Sequence, residues 1–268
     1  PRVRFTEDPV RMLRAVRFAA MLGFTVEAET WDAMLGQSNA IALAAPPRLY
    51  EEVLKLFLLG EGEKSYQLLR RTGLFTALFP FFSDWLDRES EGFPHTRVGE
   101  ALDRIDSRIR SGEKVSPQLL LALVFGQYLE EKGARLRAEG AQPQQAIDQA
   151  VAGLLEEQAP TVLIPNRVGL QVRMIVGNQS RFRKMPGRHP LSFIKRPGFR
   201  EALDYLCITG DIAGENGEVC SWWEKFVRDN PLSPAAEPVV EEMQKPAVGR
   251  RRRRRRGKKG GIGAPVSD

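Results

Sequence analysis

Apolar residues recur at spacings of three and four along most of this 268-residue chain, and no sustained stretch alternates apolar and polar residues as a half-buried strand does. This periodicity gathers apolar side chains on one face of a helix. It predicts helices over 9–22, 47–59, 63–72, 97–110, 117–130, 143–158, 166–176, 198–208 and 218–228. Several of these segments are followed by a glycine that can end a helix in the left-handed conformation, namely Gly60, Gly73, Gly112, Gly140, Gly177 and Gly210. The sequence therefore predicts an all-α fold.

A helix-start signal near the amino terminus carries a set of polar side chains. Asp8 precedes Pro9, which needs no amide donor in the first turn, and a carboxylate at that position can accept free amide protons. On the helix that follows, Arg11, Arg14 and Arg17 share the face opposite the apolar residues. Because a carboxylate only accepts and a guanidinium only donates, Asp8 beside Arg11 complements the edge of adenine or cytosine. A capping carboxylate with an exposed ion pair to Arg11 is the alternative, and the residues alone leave both open.

Two long stretches carry a family resemblance. They are Phe5-Thr6-Glu7-Asp8-Pro9-Val10-Arg11-Met12-Leu13-Arg14-Ala15-Val16-Arg17-Phe18-Ala19-Ala20-Met21-Leu22-Gly23-Phe24 and Pro46-Pro47-Arg48-Leu49-Tyr50-Glu51-Glu52-Val53-Leu54-Lys55-Leu56. They resemble the neck of the bacterial poly(A) polymerase and CCA-adding enzyme family, in which a Glu-Asp-x-x-Arg motif selects the base of the incoming nucleotide. The resemblance implies that the nucleotide is bound by Asp8, Arg11 and Arg14. It implies that the base-selecting helix is supported by Glu7, Arg17, Arg48, Glu51 and Glu52.

The resemblance also implies a domain order. Residues 1–62 would form the neck, 63–230 a helical body and 231–268 a disordered arginine-rich tail. Family members begin with a nucleotidyltransferase head that contains a Gly-Gly-x-Val-Arg-Asp turn and an Asp-x-Asp pair for magnesium ions, and neither string occurs here. Because the chain starts at Pro1 without a methionine, we interpret it as the carboxy-terminal part of a longer protein. We predict that this part alone is inactive, with no catalytic residue and no metal site.

For the longer protein the resemblance implies template-independent addition of AMP to RNA. The RNA 3′-hydroxyl would attack the α-phosphate of ATP and expel pyrophosphate, with Mg²⁺ bound by the head. The expected partners are RNA 3′ ends, ATP and RNA-decay proteins. Leu78-Phe79-Pro80, Trp222-Trp223 and the arginine-rich end resemble the poly(A) polymerase branch more closely than the CCA-adding branch. A CCA-adding tRNA nucleotidyltransferase stays open because cytosine offers the same edge, and so does a non-catalytic RNA-binding or partner-docking module.

Positive charge is concentrated in two parts of the chain. The formal net charge is +6, and residues 250–268 alone carry seven arginines and two lysines against one aspartate. Residues 158–200 contain nine arginines and lysines and no Asp or Glu. Such segregation is typical of a surface that follows an RNA backbone. We therefore predict RNA contacts by Arg181, Arg183, Lys184, Arg188, Lys195, Arg196, Arg250, Arg251, Arg252, Arg253, Arg254, Arg255, Arg256, Lys258 and Lys259.

Two alternatives accompany these charge-based predictions. Phe182, Phe193 and Phe199 interleave with the basic residues of the 158–200 segment, and they would either stack on unpaired bases or fill a core. The polybasic tail would bind RNA, anionic membrane surfaces or acidic proteins, because runs of like charge are indiscriminate.

The remaining polar residues give weaker predictions. Cys207 and Cys220 have no metal-ligand spacing and are too few for a disulfide framework, so we expect two buried free thiols and a cytoplasmic setting. Asp103 and Asp106 share a helix face with several arginines, which favours a solvated salt-bridged helix over a catalytic carboxylate pair. At Trp222-Trp223 we expect one ring to pack in a core. The longest apolar run is too short to span a membrane.

Overall fold

A computed structural model of the protein describes residues 1–88 and 94–231. This part of the chain contains helices, turns and loops but no β-strand, which confirms the predicted all-α class. Two short 3-10 helices occur at Ser38–Leu43 and Gln179–Arg181. The α-helices are α1 (Arg2–Glu7), α2 (Val10–Leu22), α3 (Ala28–Gln37), α4 (Pro46–Phe57), α5 (Gly62–Arg71), α6 (Leu74–Leu78), α7 (Pro80–Leu86), α8 (Pro94–Arg110), α9 (Pro117–Ala138), α10 (Pro143–Gln158), α11 (Asn166–Gly177), α12 (His189–Phe193), α13 (Phe199–Ala213) and α14 (Gly217–Asp229).

Helix α2 is held by an apolar face that packs against α4 and α5. Four apolar residues of this face follow the three-and-four spacing and are buried, namely Met12, Val16, Ala19 and Ala20. Helix α4 begins at two prolines, which suit a first turn because their missing amide protons have no acceptor there. Packing of α2 on α4 fixes the orientation of the polar face of α2.

Helix α9 lies at the centre of the body. All residues from 119 to 126 are buried, so the helix is apolar on every side along this stretch. A helix of this kind must be covered on every side, and α8, α10, α11 and α13 pack against it. The main core is continuous from Phe5 to Ile208 and crosses residue 62, where we expect the neck to end.

A second, smaller core joins the 182–199 segment to α13 and α14. It contains four large aromatic side chains that are at most 5% exposed, namely Phe182, Phe193, Phe199 and Trp223. The Trp223 indole N–H donates a hydrogen bond to the carbonyl of Phe182 at 2.8 Å. The alternative in which the three phenylalanines stack on RNA bases is therefore wrong, because their rings are buried in this core. Of the two tryptophans, Trp223 is fully buried and Trp222 is half-buried.

The prediction of two free thiols was wrong. Cys207 of α13 and Cys220 of α14 form a disulfide bond, with their Cα atoms 5.4 Å apart. The pairing arises because the turn around Gly214 and Asn216, both left-handed, returns α14 onto α13. The expectation of a cytoplasmic setting rested on two free thiols, so the disulfide removes that support.

Asp106 also departs from the prediction, whereas Asp103 follows it. Asp103 is exposed and lies within 4 Å of Arg104 and Arg110. Asp106 is only 2% exposed and accepts hydrogen bonds from the amides of Gly62 at 2.7 Å and Glu63 at 2.9 Å. It thus caps the start of α5 from a different helix, a role that sequence spacing along α8 does not reveal.

The helices that were not predicted are short or weakly periodic. They are α1, α3, α6, α7 and α12, of which only α3 exceeds seven residues. Gly210 lies inside α13 rather than after it, and α13 ends at Gly214. Among the helices of the described residues, we find none that combines the length and apolar character needed to cross a membrane.

Candidate nucleotide-base and RNA-binding site

Asp8 lies between α1 and α2 in an extended conformation, with φ −143° and ψ 92°. Its carbonyl accepts a hydrogen bond from the amide of Arg11, which lies in the first turn of α2. One carboxylate oxygen, Oδ2, lies 3.1 Å from Nη2 of Arg48 and 3.9 Å from Nε of Arg11. The other oxygen, Oδ1, is shielded from solvent and has no hydrogen-bond partner within the described residues. Buried acceptors are normally paired, so a ligand donor would satisfy Oδ1 once a rotation of the Asp8 side chain exposes it.

The surroundings of Asp8 keep its carboxylate ionised. Burial alone would raise the pKa of Asp8, but the hydrogen bond and charge of Arg48, the nearby Val10 amide, which falls short of hydrogen-bond geometry to the carboxylate, and the charge of Arg14 together lower it below its ordinary value of 3.8. At neutral pH the group therefore only accepts hydrogen bonds.

Of the other site residues predicted near the amino terminus, some are exposed to solvent and others form contacts between α2 and α4. Arg14 and Glu7 are exposed, and Arg14 contributes charge to Asp8 without a direct contact. Arg17 donates a hydrogen bond to Oε2 of Glu52 at 3.2 Å, which ties α2 to α4. Glu52 is 5% exposed, whereas Glu51 is exposed on the outer side of α4.

The 158–200 segment presents its predicted RNA-binding residues to solvent. Arg183, Lys184, Arg188, Lys195 and Arg196 are exposed, and Arg181 is half-buried. In residues 1–88 and 94–231, none of these six has a carboxylate oxygen within 4.0 Å, unlike Arg173 and Arg200 of the same segment. Their charges are therefore not neutralised by ion pairs in this part of the chain.

The predicted contacts of the tail lie outside the described residues. They are those of Arg250, Arg251, Arg252, Arg253, Arg254, Arg255, Arg256, Lys258 and Lys259.

Two family models match this chain. The model described as "Polymerase A arginine-rich C-terminus" matches residues 139–259. The model described as "Probable RNA and SrmB- binding site of polymerase A" matches residues 23–86. The chain belongs to the polymerase A family.

Curated proteins extend this family match over nearly the whole chain. Poly(A) polymerase I of Salmonella typhi is 32% identical over 255 residues, covering 94% of this chain and 54% of the relative. Poly(A) polymerase I of Haemophilus influenzae is 32% identical over 248 residues, covering 91% and 54%. The chain thus spans about half the length of the polymerase A relatives that it matches.

A match from the other branch is more local. The CC-adding tRNA nucleotidyltransferase of Halalkalibacterium halodurans is 43% identical over 75 residues, covering 28% of this chain and 20% of the relative. The similarity to poly(A) polymerase I therefore extends over 94% of this chain, against 28% for this tRNA enzyme.

The residues present here do not fit the magnesium ions that the resemblance to polymerase A implies. Within the described ranges, one group of potential ligands converges, formed by Cys207, Cys220 and Glu224. Its two sulfur atoms are bonded to each other, and Mg²⁺ prefers oxygen ligands in octahedral geometry. No step of the chemistry can therefore be assigned to a metal site in this part of the chain.

The sequence did not reveal one cleft of the fold. Gln144, Arg173, Met174, Asn178 and Arg196 line a common cleft, although they come from two helices and a loop. The absence of acidic residues over 158–200 was the available signal, but it identifies Arg173 and Arg196 only as members of a charged segment.

Proposed function

We propose that this chain is the base-selecting and RNA-binding half of a template-independent polyadenylating nucleotidyltransferase. The observation that supports the proposal most strongly is the Asp8 carboxylate, fixed through Oδ2 by Arg48 and free at Oδ1. In this proposal Oδ1 accepts the adenine amino group, and the nearby Arg11 guanidinium donates to the adjacent ring nitrogen.

The neighbouring residues take supporting roles. Arg14 adds a small charge effect to that of Arg48 in lowering the pKa of Asp8, and it would approach the nucleotide phosphates. The Arg17–Glu52 pair and Arg48 hold α2 against α4, so that Asp8 and Arg11 keep a fixed separation. Glu7 and Glu51, both exposed, are assigned weaker support of the same helices.

The RNA strand would be bound by the arginine-rich tail and by the six basic residues of the 158–200 segment that have no ion pair within residues 1–88 and 94–231. Single strands bind such surfaces through their phosphates, and the affinity falls with salt. In this proposal the neck spans residues 1–62, the body 63–230 and the tail 231–268. ATP, the RNA 3′ end and, in the cell, RNA-decay proteins of the cytoplasm are the partners.

Chemistry at the phosphates is assigned to the amino-terminal half of the longer protein. The chain covers 54% of the relative from Salmonella typhi, and the remainder leaves room for a nucleotidyltransferase head. Two-metal transfer would require carboxylates supplied by that half. In this proposal the chain alone is inactive, and it contributes base selection and RNA binding to the longer protein.

RNA extension tests the proposal. The longer protein is given Mg²⁺, a labelled unstructured RNA and ATP or CTP separately. Long products with ATP are expected. The local match to a CC-adding enzyme favours a second candidate, addition to tRNA ends. Addition only to a tRNA lacking its terminal CCA would overturn the poly(A) proposal in favour of that candidate, and no extension of any RNA would favour a non-catalytic RNA-binding role.

A further inference from the structure

A cleft of about 290 Å³ opens on the surface of the body where α10, α11 and the loop after α12 meet. Its lining includes Gln144 of α10, Arg173 and Met174 of α11, Asn178 at the end of α11 and Arg196 of the loop. The volume is near the lower limit of ~300–1,000 Å³ for sites that take small ligands.

The charge of this cleft is positive. Arg196 has no carboxylate within 4.0 Å in the described part of the chain. Arg173 lies 3.3 Å from Asp148, which also accepts a hydrogen bond from Gln144 at 3.0 Å. One of the two guanidiniums is thus balanced and one is not. An anionic group entering the cleft would meet the free charge of Arg196.

The cleft also has apolar walls beside its amide groups. Met174 and Pro197 contribute apolar surface. Gly177 has no side chain, and a Cβ there would be 3.5 Å from Nε2 of Gln144, so the glycine leaves the space beside Gln144 open. Gly198, at φ +74°, brings the loop backbone next to Met174. A positively charged cleft with apolar surface and two amides suits a phosphate joined to a base.

We propose that this cleft binds one nucleotide unit of the RNA strand. Its phosphate would lie against Arg196, because Arg173 is already paired with Asp148. Its base would lie against Met174 and Pro197. The side-chain oxygens of Gln144 and Asn178, whose nitrogens donate to Asp148 and to the carbonyl of Met174, would accept hydrogen bonds from the base edge. The inference rests on the proposed RNA binding by the body, and it adds a defined subsite to that surface. The cleft would anchor the strand at a distance from the base-selecting site around Asp8.

A charge-neutral substitution that fills the cleft tests this inference. Binding of a labelled oligoriboadenylate to the chain is measured by fluorescence anisotropy. Gln144→Trp, at an exposed position of α10, should weaken binding about tenfold, a loss of about 1.4 kcal/mol, because the ring would exclude one nucleotide from the cleft. Gln145→Trp adds the same ring at the next exposed position, which does not line the cleft, and should leave the affinity unchanged.

A second pair of variants tests the phosphate contact. Arg196→Ala should reduce the slope of log affinity against log salt concentration by about 0.7, the value for one phosphate contact with a single strand. Arg97→Ala removes one exposed arginine of α8, far from the cleft in sequence, and should leave the slope unchanged.

The outcomes separate this inference from the proposed function. If the unaltered chain fails to bind the oligonucleotide, both proposals are overturned. If it binds, and Gln144→Trp and Arg196→Ala bind as well as their controls, the cleft assignment alone is wrong. AMP or an acidic peptide is added as a separate probe. If Gln144→Trp weakens binding of either probe while RNA binding is unchanged, the cleft belongs to that ligand and the RNA assignment is overturned.

Discussion

Arg17 and Glu52 are 35 residues apart in sequence and form a hydrogen-bonded ion pair of 3.2 Å between α2 and α4. Glu52 is almost fully buried, and Lys55 lies 3.0 Å from its other oxygen. Both carboxylate oxygens are therefore engaged by cations. The pair holds the polar face of α2, which carries Arg11 and Arg14, in one position relative to Arg48 on α4.

Glu52→Ala should destabilise the chain by about 1–3 kcal/mol, because Arg17 would lose the acceptor for its shielded guanidinium. Glu51→Ala, at the exposed neighbouring position, should change the free energy of unfolding by less than ~0.5 kcal/mol. Urea-induced unfolding measures both. Equal effects of the two substitutions would show that the ion pair does not hold α2 to α4.

Asp106 gives a second stability prediction. Asp106→Ala should lower the free energy of unfolding by about 2–3 kcal/mol, because the amides of Gly62 and Glu63 lose their acceptor at the start of α5. Asp103→Ala, on the exposed side of the same helix, should change it by less than ~0.5 kcal/mol. A loss at Asp106 no larger than that at Asp103 would contradict the capping role.

The pH dependence of stability should identify Asp106 independently. Burial raises the pKa of Asp106 above its ordinary value of 3.8, although the two amides and Arg110 partly oppose this. A carboxyl group with a raised pKa in the folded state destabilises the fold while it is ionised, and this penalty disappears as the pH falls towards 3.8. The Asp106→Asn variant has no carboxyl group at this position that could change its charge with pH, so it serves as the reference.

The stability of the unaltered chain relative to Asp106→Asn should therefore rise as the pH is lowered from 7 towards 4, as measured by urea unfolding at each pH. If the stability of the unaltered chain relative to Asp106→Asn falls on acidification, the amide hydrogen bonds dominate and lower the pKa of Asp106 instead.

Two glycines should respond to alanine in opposite directions. A Cβ at Gly126, inside α9, would clash with the ring and hydroxyl of Tyr205, so Gly126→Ala should destabilise by about 1–3 kcal/mol. A Cβ at Gly36 of α3 meets no atom within 4 Å, so Gly36→Ala should stabilise by about 0.5–1 kcal/mol through helix propensity alone. Thermal unfolding distinguishes the two, and stabilisation by Gly126→Ala would contradict the close packing of α9 on α13.

Much of the fold could be predicted from the sequence because long helices repeat their apolar pattern over several turns. Helices α2, α4, α8 and α10 are of this kind. Short elements such as α6 and α12 span too few turns to establish a period. The disulfide and the cap by Asp106 depend on contacts between helices, which local spacing does not encode.

The candidate site was predictable to the extent that it is local. Asp8 and Arg11 are three residues apart and meet across one helical turn. The contact of Arg48 with Asp8 joins residues 40 positions apart, and only the resemblance placed them together in advance. The phenylalanines of the basic segment could not be assigned from sequence, since aromatic residues serve cores and RNA surfaces equally well.

The central claim is that Asp8 selects adenine. In the longer protein, the ratio of kcat/KM for ATP to that for GTP should fall about tenfold or more in Asp8→Ala, because a charged acceptor is lost from the base edge. Asp32→Ala, an exposed carboxylate on α3, is the matched control and should keep the ratio of the unaltered protein. An unchanged ratio in Asp8→Ala, with the variant folded and active, would contradict the account.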